Sequence, residues 1–446
     1  MCISDDKKFV DEEYLWVDFM IEFNEEFETL EELCEAFIPK YNKVLAKIEY
    51  GNGFCLKKDT TDSLLVRCPK MPTLDMKYYD MRFAKGKPIK TLNYIKLTEI
   101  VSLLFKRLPI YSSETFKPMN HNLKKYEYNS WCGFKGDVTD FKMDMTYVNP
   151  ILDFIKTIIC SGNDEVYTYF LSWLRHITVK PYMKTGVAVF LHSDEKGTGK
   201  GTIGYWLKNF VFGNGISSVV NGLSKITQKH NACIQRKIFV MVDEMPSTQG
   251  EFHSQFDTMK HLITDPELTI EPKGIDPYEI PNMANFLMMS NNRMSLKIEK
   301  GDRRYACFEV SPSKKLDEEY WDIIHNETLT EETGKHFFQY LKQLPEAECV
   351  SLRRIPNTEL RNSIIDNSIP SHERFFQDIK SGDYTIADGY YMDGFNYKDK
   401  DINDGITAEM LYKLYEAYCL SRKESCLRFR LFFSAIQNFV VKRKKK

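Results

Sequence analysis

The strongest constraint on the fold is an unbroken apolar run that ends directly in a glycine-rich loop containing lysine. The run covers residues 186–191, and the loop HSDEKGTGKGT follows at 192–202. A continuous apolar run of this length is typical of a parallel strand that is buried on both faces. Bulky residues at 205–207 favour a helix after the loop. A buried strand, a glycine loop and a helix in this order predict an α/β fold with a parallel sheet.

Other segments extend this pattern along the chain. Apolar runs at 238–242 and 286–289 predict two more buried strands, and helical spacing of apolar residues predicts helices over 148–180 that end at Pro181. Residues 9–38 are predicted to be amphipathic helices, and 42–67 to hold two strands around the turn at 51–53. The predicted regions are a small α+β domain at 1–125, a helical collar or linker at 126–182, the α/β core at 183–315, and a helical region with a basic tail at 316–446, for which a winged helix is one option.

Composition excludes several classes of protein. The chain has 446 residues, which is too long for one ordinary domain, and a net charge of -2, so a basic surface for nucleic acid must be local. Its 11 cysteines include no Cys-x-x-Cys pair, which predicts reduced thiols inside a cell rather than disulfides or a zinc site. No run approaches the roughly 20 apolar residues of a membrane span. We therefore expect an intracellular protein without a membrane segment.

The loop at 192–202 carries the features of a phosphate-binding loop, or P-loop. Glycines let main-chain N–H groups close around phosphate oxygens, and Lys200 would neutralise the β- and γ-phosphates. Asp194 occupies the first glycine position of the usual pattern and Gly201 the hydroxyl position, so we assign the Mg²⁺-binding hydroxyl to Thr202. A glycine-rich turn without a ligand is the alternative. The predicted nucleotide-binding residues, with ATP and Mg²⁺ as ligands, are Asp194, Gly197, Thr198, Gly199, Lys200, Gly201 and Thr202.

Polar residues at the ends of the other predicted strands complete a candidate catalytic set. Asp243 would hold Mg²⁺ and Glu244 would polarise the attacking water as general base, although a strand that simply reaches solvent would look similar. Asn291 would orient the water, although asparagine is also common in turns. Arg303 and Arg304 form either a surface salt bridge or an arginine finger on the nucleotide of a neighbouring subunit.

The order of these motifs resembles a known family. The array of GTGKGT at 197–202, FVMVDE at 239–244, MSNN at 289–292 and DRRY at 302–305 resembles the superfamily 3 helicases. The branch is that of phages, plasmids and large DNA viruses, which includes the helicase part of poxvirus-like primase-helicases. The segment NSWCGF at 129–134 is similar to an element that precedes the ATPase in the phage branch. The resemblance covers about residues 125–310, and Asp194 departs from it.

The resemblance implies a function and an architecture. It implies an AAA+-like P-loop ATPase core, a homo-hexamer with ATP between neighbouring subunits, and 3′ to 5′ movement on single-stranded DNA, with RNA as an alternative. A β-hairpin at 268–280 would carry Lys273 at its tip toward the strand, and Lys260 would lie near the nucleotide interface. Residues 1–120 are short and lack an acidic catalytic triad, so we expect a primase or polymerase in trans.

Two other functions share part of these features. One is a P-loop ATPase that works as a motor or loader without unwinding, which has no need of the Lys273 hairpin. The other is an origin-binding or scaffold factor with decayed catalysis, against which the intact Lys200, Asp243, Glu244 and Arg303 argue. In all three cases we expect the protein of a virus or mobile element, located in the host cytoplasm or nucleus.

Overall fold

The computed structural model describes residues 110–243, 245, 249–271, 276–381, 407–422 and 426–436, together with strands at 45–48, 53–56 and 66–68. The predictions made for the helices of residues 9–38, for Glu244, for Lys273 and for the basic tail at 442–446 lie outside the described residues.

The first strands of the chain form a four-stranded sheet in the spatial order β3-β2-β1-β4. The strands are β1 (Leu45–Ile48), β2 (Gly53–Leu56), β3 (Val66–Cys68) and β4 (Ile110–Tyr111). β1 and β2 are antiparallel, with Leu45 opposite Leu56 and Ile48 opposite Gly53. The two strands predicted around the turn at 51–53 are therefore confirmed. A short parallel pair follows, formed by β5 (Ser113–Thr115) and β6 (Glu127–Asn129).

A five-stranded parallel sheet forms the centre of the fold, with the spatial order β13-β7-β12-β9-β8. The strands from this point on are β7 (Ala188–His192), β8 (Ser217–Asn221), β9 (Phe239–Asp243), β10 (Glu267–Ile270), β11 (Tyr278–Pro281), β12 (Asn285–Ser290) and β13 (Tyr305–Glu309). Every residue of β7 and β12 is buried, because both faces of these strands are covered. The three predicted buried strands and their parallel arrangement are confirmed, whereas β10 and β11 form a separate antiparallel hairpin.

Helices make up much of the rest of the described chain. They are α1 (Met145–Phe154), α2 (Asp164–Val179), α3 (Lys200–Trp206), α4 (Ser224–Thr227), α5 (Gln249–Thr264), α6 (Glu318–Ile323), α7 (Glu331–Gln343), α8 (Glu359–Ser368), α9 (Ser371–Ser381), α10 (Ala408–Ser421) and α11 (Phe429–Ala435). α1, α3 and α6 each continue as a wider π-helical turn, over Ile155–Ile159, Leu207–Phe212 and Ile324–Thr328 respectively.

The helices predicted over 148–180 are α1 and α2, and their starts are set by polar caps. The Asp144 carboxylate accepts from the Thr146 N–H at 2.8 Å, and the Asn163 amide oxygen accepts from the Val166 N–H at 3.0 Å. Such caps satisfy main-chain donors that the first helical turn leaves free. α7 packs against both α1 and α2, and the buried faces of the three helices belong to the same hydrophobic core as the sheet.

The chain divides into two compact units. The first contains Met1–Leu296 and Asp302–Arg361, and the second contains Lys297–Gly301 and Asn362–Lys446. The first unit contains the sheet and the helices up to Arg361. The core predicted from the sequence ends earlier, at residue 315. The second unit is helical over most of its described residues from 362 on, and its core is largely aromatic, with Phe375, Tyr415 and Phe432 at the centre. The winged helix in this region stays a prediction.

Some kinds of feature are absent from the described part of the chain. None of its helices has both the length and the apolar character needed to cross a bilayer. Its cysteines are free thiols, and it contains no cluster of three or more His, Cys, Asp or Glu side chains suited to a metal ion.

Candidate nucleotide site

The loop between β7 and α3 closes around the side chain of Lys200. The Lys200 ammonium group donates to the main-chain oxygen of Glu195 and to the hydroxyl of Thr198, both at 3.2 Å. Lys200 is only 8% exposed, and Thr198 is buried as well. The loop therefore surrounds the Lys200 ammonium group, at the position where a bound anion would contact it.

Lys200 is a buried charge that carboxylates only partly compensate. Burial lowers the pKa of Lys200 to about 8, while the carboxylates of Glu309, Asp243 and Asp194 act in the opposite direction. These three carboxylates therefore lie close enough to interact with the ammonium group. A phosphate placed among them would stabilise the charged form of Lys200 more strongly, because it is negative and accepts hydrogen bonds.

Gly199 lies where the loop enters α3. Its φ is +90°, a left-handed conformation that glycine adopts without a steric penalty. A Cβ at this position would be only 2.6 Å from Cη2 of Trp321. The Trp321 indole N–H donates to the Lys314 oxygen at 2.7 Å, which fixes the ring. The turn into α3 therefore requires glycine at position 199.

The first turn of α3 contains the two residues that follow Lys200 in the motif. Gly201 and Thr202 are both half-buried. A Cβ at Gly201 would meet only Cδ2 of Tyr205, at 4.0 Å, so no contact demands glycine there. Gly197, earlier in the loop, has a φ of +73°, a left-handed conformation that favours glycine. A Cβ at this position would meet no atom within 4 Å, so only the backbone conformation favours glycine here.

Asp194 occupies the position where the usual motif has glycine, and it serves as an ion-pair partner. The Arg293 guanidinium donates to the Asp194 carboxylate at 3.0 Å and lies 3.5 Å from the Glu309 carboxylate. His192 Nδ1 is 3.2 Å from the same Glu309 oxygen, and its buried Nε2 lies 3.5 Å from the Asp194 carboxylate without forming a hydrogen bond. Asp194 keeps a negative φ, so the backbone at this position does not require glycine.

Asp243 and the amide residues lie at the same edge of the sheet as the loop. Asp243 is the last residue of β9, and β12 lies between β9 and β7. Ser290, at the end of β12, pairs with His192, and its main-chain oxygen accepts from the Ser193 N–H at 3.4 Å. Asn291 follows directly and is exposed. The loop, the carboxylate and the amide therefore meet at the carboxyl ends of parallel strands, where α/β sheets bind ligands.

The opposite end of β12 is tied to both of its neighbours by one side chain. The Asn285 amide oxygen accepts from the N–H and the hydroxyl of Thr185, at 3.0 and 2.8 Å, on the segment before β7. Its amide nitrogen donates to the Ile238 oxygen, just before β9, at 3.1 Å. Asn285 therefore sets where β12 begins relative to both strands.

Arg303 and Arg304 lie at the amino ends of the strands, away from the loop. The Arg304 main-chain oxygen accepts from the Ala188 N–H at 2.8 Å, at the start of β7, whereas the loop follows the end of β7. A strand of this length spans about 15 Å. Arg304 pairs with Asp302 at 3.3 Å, and Arg303 is exposed. Within one chain these arginines do not join the Lys200 group.

The predicted hairpin is present up to its tip. Leu268 of β10 pairs with Ile280 of β11, and the turn with Lys273 lies outside the described residues. Lys260, on α5, is 3.2 Å from the Asp257 carboxylate.

Four residues of this edge were missed in the sequence. Glu309 ends β13 as Asp243 ends β9, so a carboxylate after an apolar strand was a signal that could have found it. Arg293 directly follows the predicted amide segment, which was a weaker signal. His192 and Trp321 gave none, because their roles come from contacts that only the fold creates.

Comparison with known proteins adds a relationship to this geometry. Residues 191–304 match a family model described as a family of unknown function (DUF5906). The match covers every predicted site residue from Asp194 to Arg304. Over 201 residues the chain is 26% identical to the DNA primase-polymerase of Nitratiruptor phage NrS-1. The chain is similar to part of a phage DNA primase-polymerase. The alignment covers 45% of this chain and 27% of the relative, so it spans about a quarter of that protein.

Solved structures identify the fold. The apo structure of the C-terminal region of the NrS-1 protein superposes with a TM-score of 0.59 at 17% identity, covering 89% of this chain and 87% of that one. A second apo structure, called the A form, gives 0.58 at 17% identity and covers 91% and 94%. The chain therefore has the fold of this C-terminal region over most of its length.

Proposed function

We propose that the chain is an ATP-dependent DNA helicase of the superfamily 3 type. It works as a hexameric ring that moves 3′ to 5′ on single-stranded DNA during replication of a virus, phage or related mobile element. The observation that supports this most directly is the meeting of Lys200, Asp243 and Asn291 at one sheet edge, with an arginine pair at the other. The similarity to a phage DNA primase-polymerase is consistent with a role in replication.

In this proposal the Lys200 loop binds the phosphates of ATP. The buried ammonium group exchanges its two loop contacts for phosphate oxygens, and main-chain N–H groups of residues 197–202 donate to the same oxygens. The Thr202 hydroxyl and the Asp243 carboxylate are hard oxygen donors of the kind that suits Mg²⁺, which would neutralise charge on the phosphates when bound. Asn291 and Glu244 are assigned to the attacking water, as orienting residue and general base.

The positions of Arg303 and Arg304 support a shared site. They are about 15 Å from the loop of their own chain, by the length of β7. They would therefore reach a nucleotide held by a neighbouring copy, as expected for a ring with head-to-tail interfaces. One such arginine supplies roughly 10³–10⁵ in rate where fingers of this kind are known.

The hairpin of β10 and β11 is assigned to the DNA strand. Lys273 at its tip would hold a backbone phosphate, which gives binding that is independent of sequence and sensitive to salt. A primase or polymerase is assigned as a partner that acts in trans inside the host cell. RNA as the substrate remains the alternative to DNA.

Strand displacement on a forked duplex tests this function. We expect unwinding that depends on ATP, and we expect Lys273→Ala to keep basal ATPase activity while unwinding falls at least tenfold. Lys142→Ala, at an exposed lysine away from the site, is the control and should unwind normally. ATPase activity without unwinding in the unaltered chain would favour a motor or loader. Stoichiometric origin binding that Lys200→Ala leaves unchanged would favour a scaffold factor.

A further inference from the structure

A second concave site lies at the amino ends of β7 and β13, at the opposite edge of the sheet from the Lys200 loop. It is a cavity of about 690 Å³, lined by α2, by the segment before β7, by the turn before β13 and by residues 346–353. This volume is in the range of pockets that bind small molecules. All of its lining residues belong to the first compact unit.

The cavity is strongly basic. Among the described residues that line it, Glu346 is the only acidic one, and it is 3.3 Å from the ammonium group of Lys180. The basic residues on its wall, apart from His176, are Arg175, Lys180, Lys184, Arg303, Arg304 and Arg353. Arg304 also pairs with Asp302 at 3.3 Å, and Asp265 interacts with Lys184, so the six basic residues outnumber the three nearby carboxylates of Glu346, Asp302 and Asp265 two to one.

Main-chain oxygens hold several of these cations in place without neutralising them. Arg175 Nε donates to the Leu344 oxygen at 2.7 Å, and the Lys184 ammonium group donates to the Leu262 oxygen. Arg304 Nε is buried and has no hydrogen-bond partner. Burial lowers the pKa of Lys184 to about 7, and Asp265 only partly opposes this. An anion would supply the acceptors and the charge that this wall lacks.

We propose that this cavity binds the polyphosphate chain of a nucleoside triphosphate, at a site separate from the Lys200 loop. Guanidinium groups bind phosphate through two parallel hydrogen bonds. Apart from Arg303, three of the six basic residues are arginines, namely Arg175, Arg304 and Arg353. A cavity of this volume fits a short polyanion better than a nucleic-acid strand, which needs a continuous groove. The polyphosphate comes either from free nucleotide or from nucleotide held by a second copy of the chain, and only the latter rests on the proposed function.

The test uses sodium tripolyphosphate and the full chain carrying Lys200→Ala, in which the loop can no longer contribute its cation. Titration calorimetry should show one site per chain. Adding Arg353→Glu should weaken binding about tenfold or more, because a charge-assisted contact is replaced by repulsion. Arg354→Glu is the matched control. Arg354 is the next residue, is equally exposed and does not line the cavity, so affinity should stay within about twofold.

The outcomes separate the two sources of polyphosphate. Tripolyphosphate binding by monomeric Lys200→Ala chain, as judged by sedimentation, supports free ligand as the source. Binding of ATP that depends on Arg353 only when unaltered chains associate supports a second copy as the source. The inference is overturned if neither arm shows binding, or if Arg353→Glu and Arg354→Glu act alike. Failure of the proposed helicase function would instead appear as absent unwinding by the unaltered chain. The Lys200→Ala chain would still bind tripolyphosphate in that case.

Discussion

Asp194 and Arg293 show how one side chain can change the electrostatics of a phosphate loop. The carboxylate sits at the start of the loop and is paired with a guanidinium that comes from the end of the amide segment, at 3.0 Å. Both side chains are substantially exposed, so the pair itself contributes about 1 kcal/mol or less to stability. Its larger effect is on the charge that an arriving phosphate meets.

This arrangement predicts opposite effects for the two partners. Asp194→Asn should tighten ADP binding about fivefold, because a charge near the phosphates contributes on the order of 1 kcal/mol. Arg293→Gln should weaken ADP binding by a similar factor. Titration calorimetry measures both, and thermal unfolding checks that each variant is folded. Weaker binding in both variants would mean that the pair only shapes the loop.

At this scale the sequence predicted that the Lys200 loop, Asp243 and Asn291 would lie together, but not how their neighbours are paired. Lys200 and Asp243 were identifiable because a lysine in a glycine loop and a carboxylate after an apolar strand are local patterns. The pairing of Asp194 with Arg293 joins residues 99 positions apart. The sequence interpretation of Asp194 considered only its backbone, and the ion pair could not be foreseen without the strand order.

At the scale of elements, the junction between the loop and α3 depends on a tryptophan from much later in the chain. Trp321, in α6, contacts both Gly199 and Phe154 of α1, with ring centroids 6.1 Å apart for the aromatic pair. The loop is therefore supported from outside as well as by its own hydrogen bonds. The salt bridge between Lys315 and Glu195, at 2.6 Å, connects the same two segments.

Alanine substitutions at two neighbouring glycines should separate the effects of this support. Gly199→Ala should destabilise the fold by about 2 kcal/mol or more, because it combines a left-handed φ with a contact of 2.6 Å. Gly201→Ala, two residues later, meets nothing closer than 4.0 Å and should change stability by less than about 1 kcal/mol. Denaturant unfolding gives both values. Equal losses of stability in the two variants would show that the Trp321 ring moves aside at little energetic cost.

The elements themselves were largely predictable, but their neighbours in space were not. Uninterrupted apolar runs identified β7, β9 and β12, and helical spacing identified α1 and α2. The position of β12 between β7 and β9 could not be predicted from the local sequence, because every strand of a buried parallel sheet has a similar composition. The hairpin at 268–280 was predicted from the family resemblance, and Leu268 and Ile270 do alternate with exposed residues in the structure.

At the scale of the whole molecule, the two edges of the sheet carry complementary halves of one proposed site. The Lys200 loop is at one edge, and Arg303 and Arg304 are at the other, so a single chain would be incomplete. This separation follows from the parallel direction of the strands, because each loop after a strand lies at the same edge and each turn before a strand lies at the other.

Mixing two inactive variants tests whether the site is shared. Lys200→Ala alone and Arg303→Ala alone should each lose most ATPase activity. An equal mixture should recover about a quarter of the original rate, since that fraction of head-to-tail interfaces combines an intact loop with an intact arginine. Repeating the mixture with Arg304→Ala identifies which arginine acts. No recovery with either variant would place catalysis within one chain.

The length of β12, which lies between β7 and β9, limits how this sequence can change in evolution. β12 is anchored by Asn285 at its start and presents Ser290 and Asn291 at its finish, with buried residues throughout. An insertion or deletion between these points would turn every following side chain to the opposite face and carry the amide away from the loop. Six consecutive positions therefore form an interval of fixed length, in which residues can be exchanged for others of similar size but none can be added or lost.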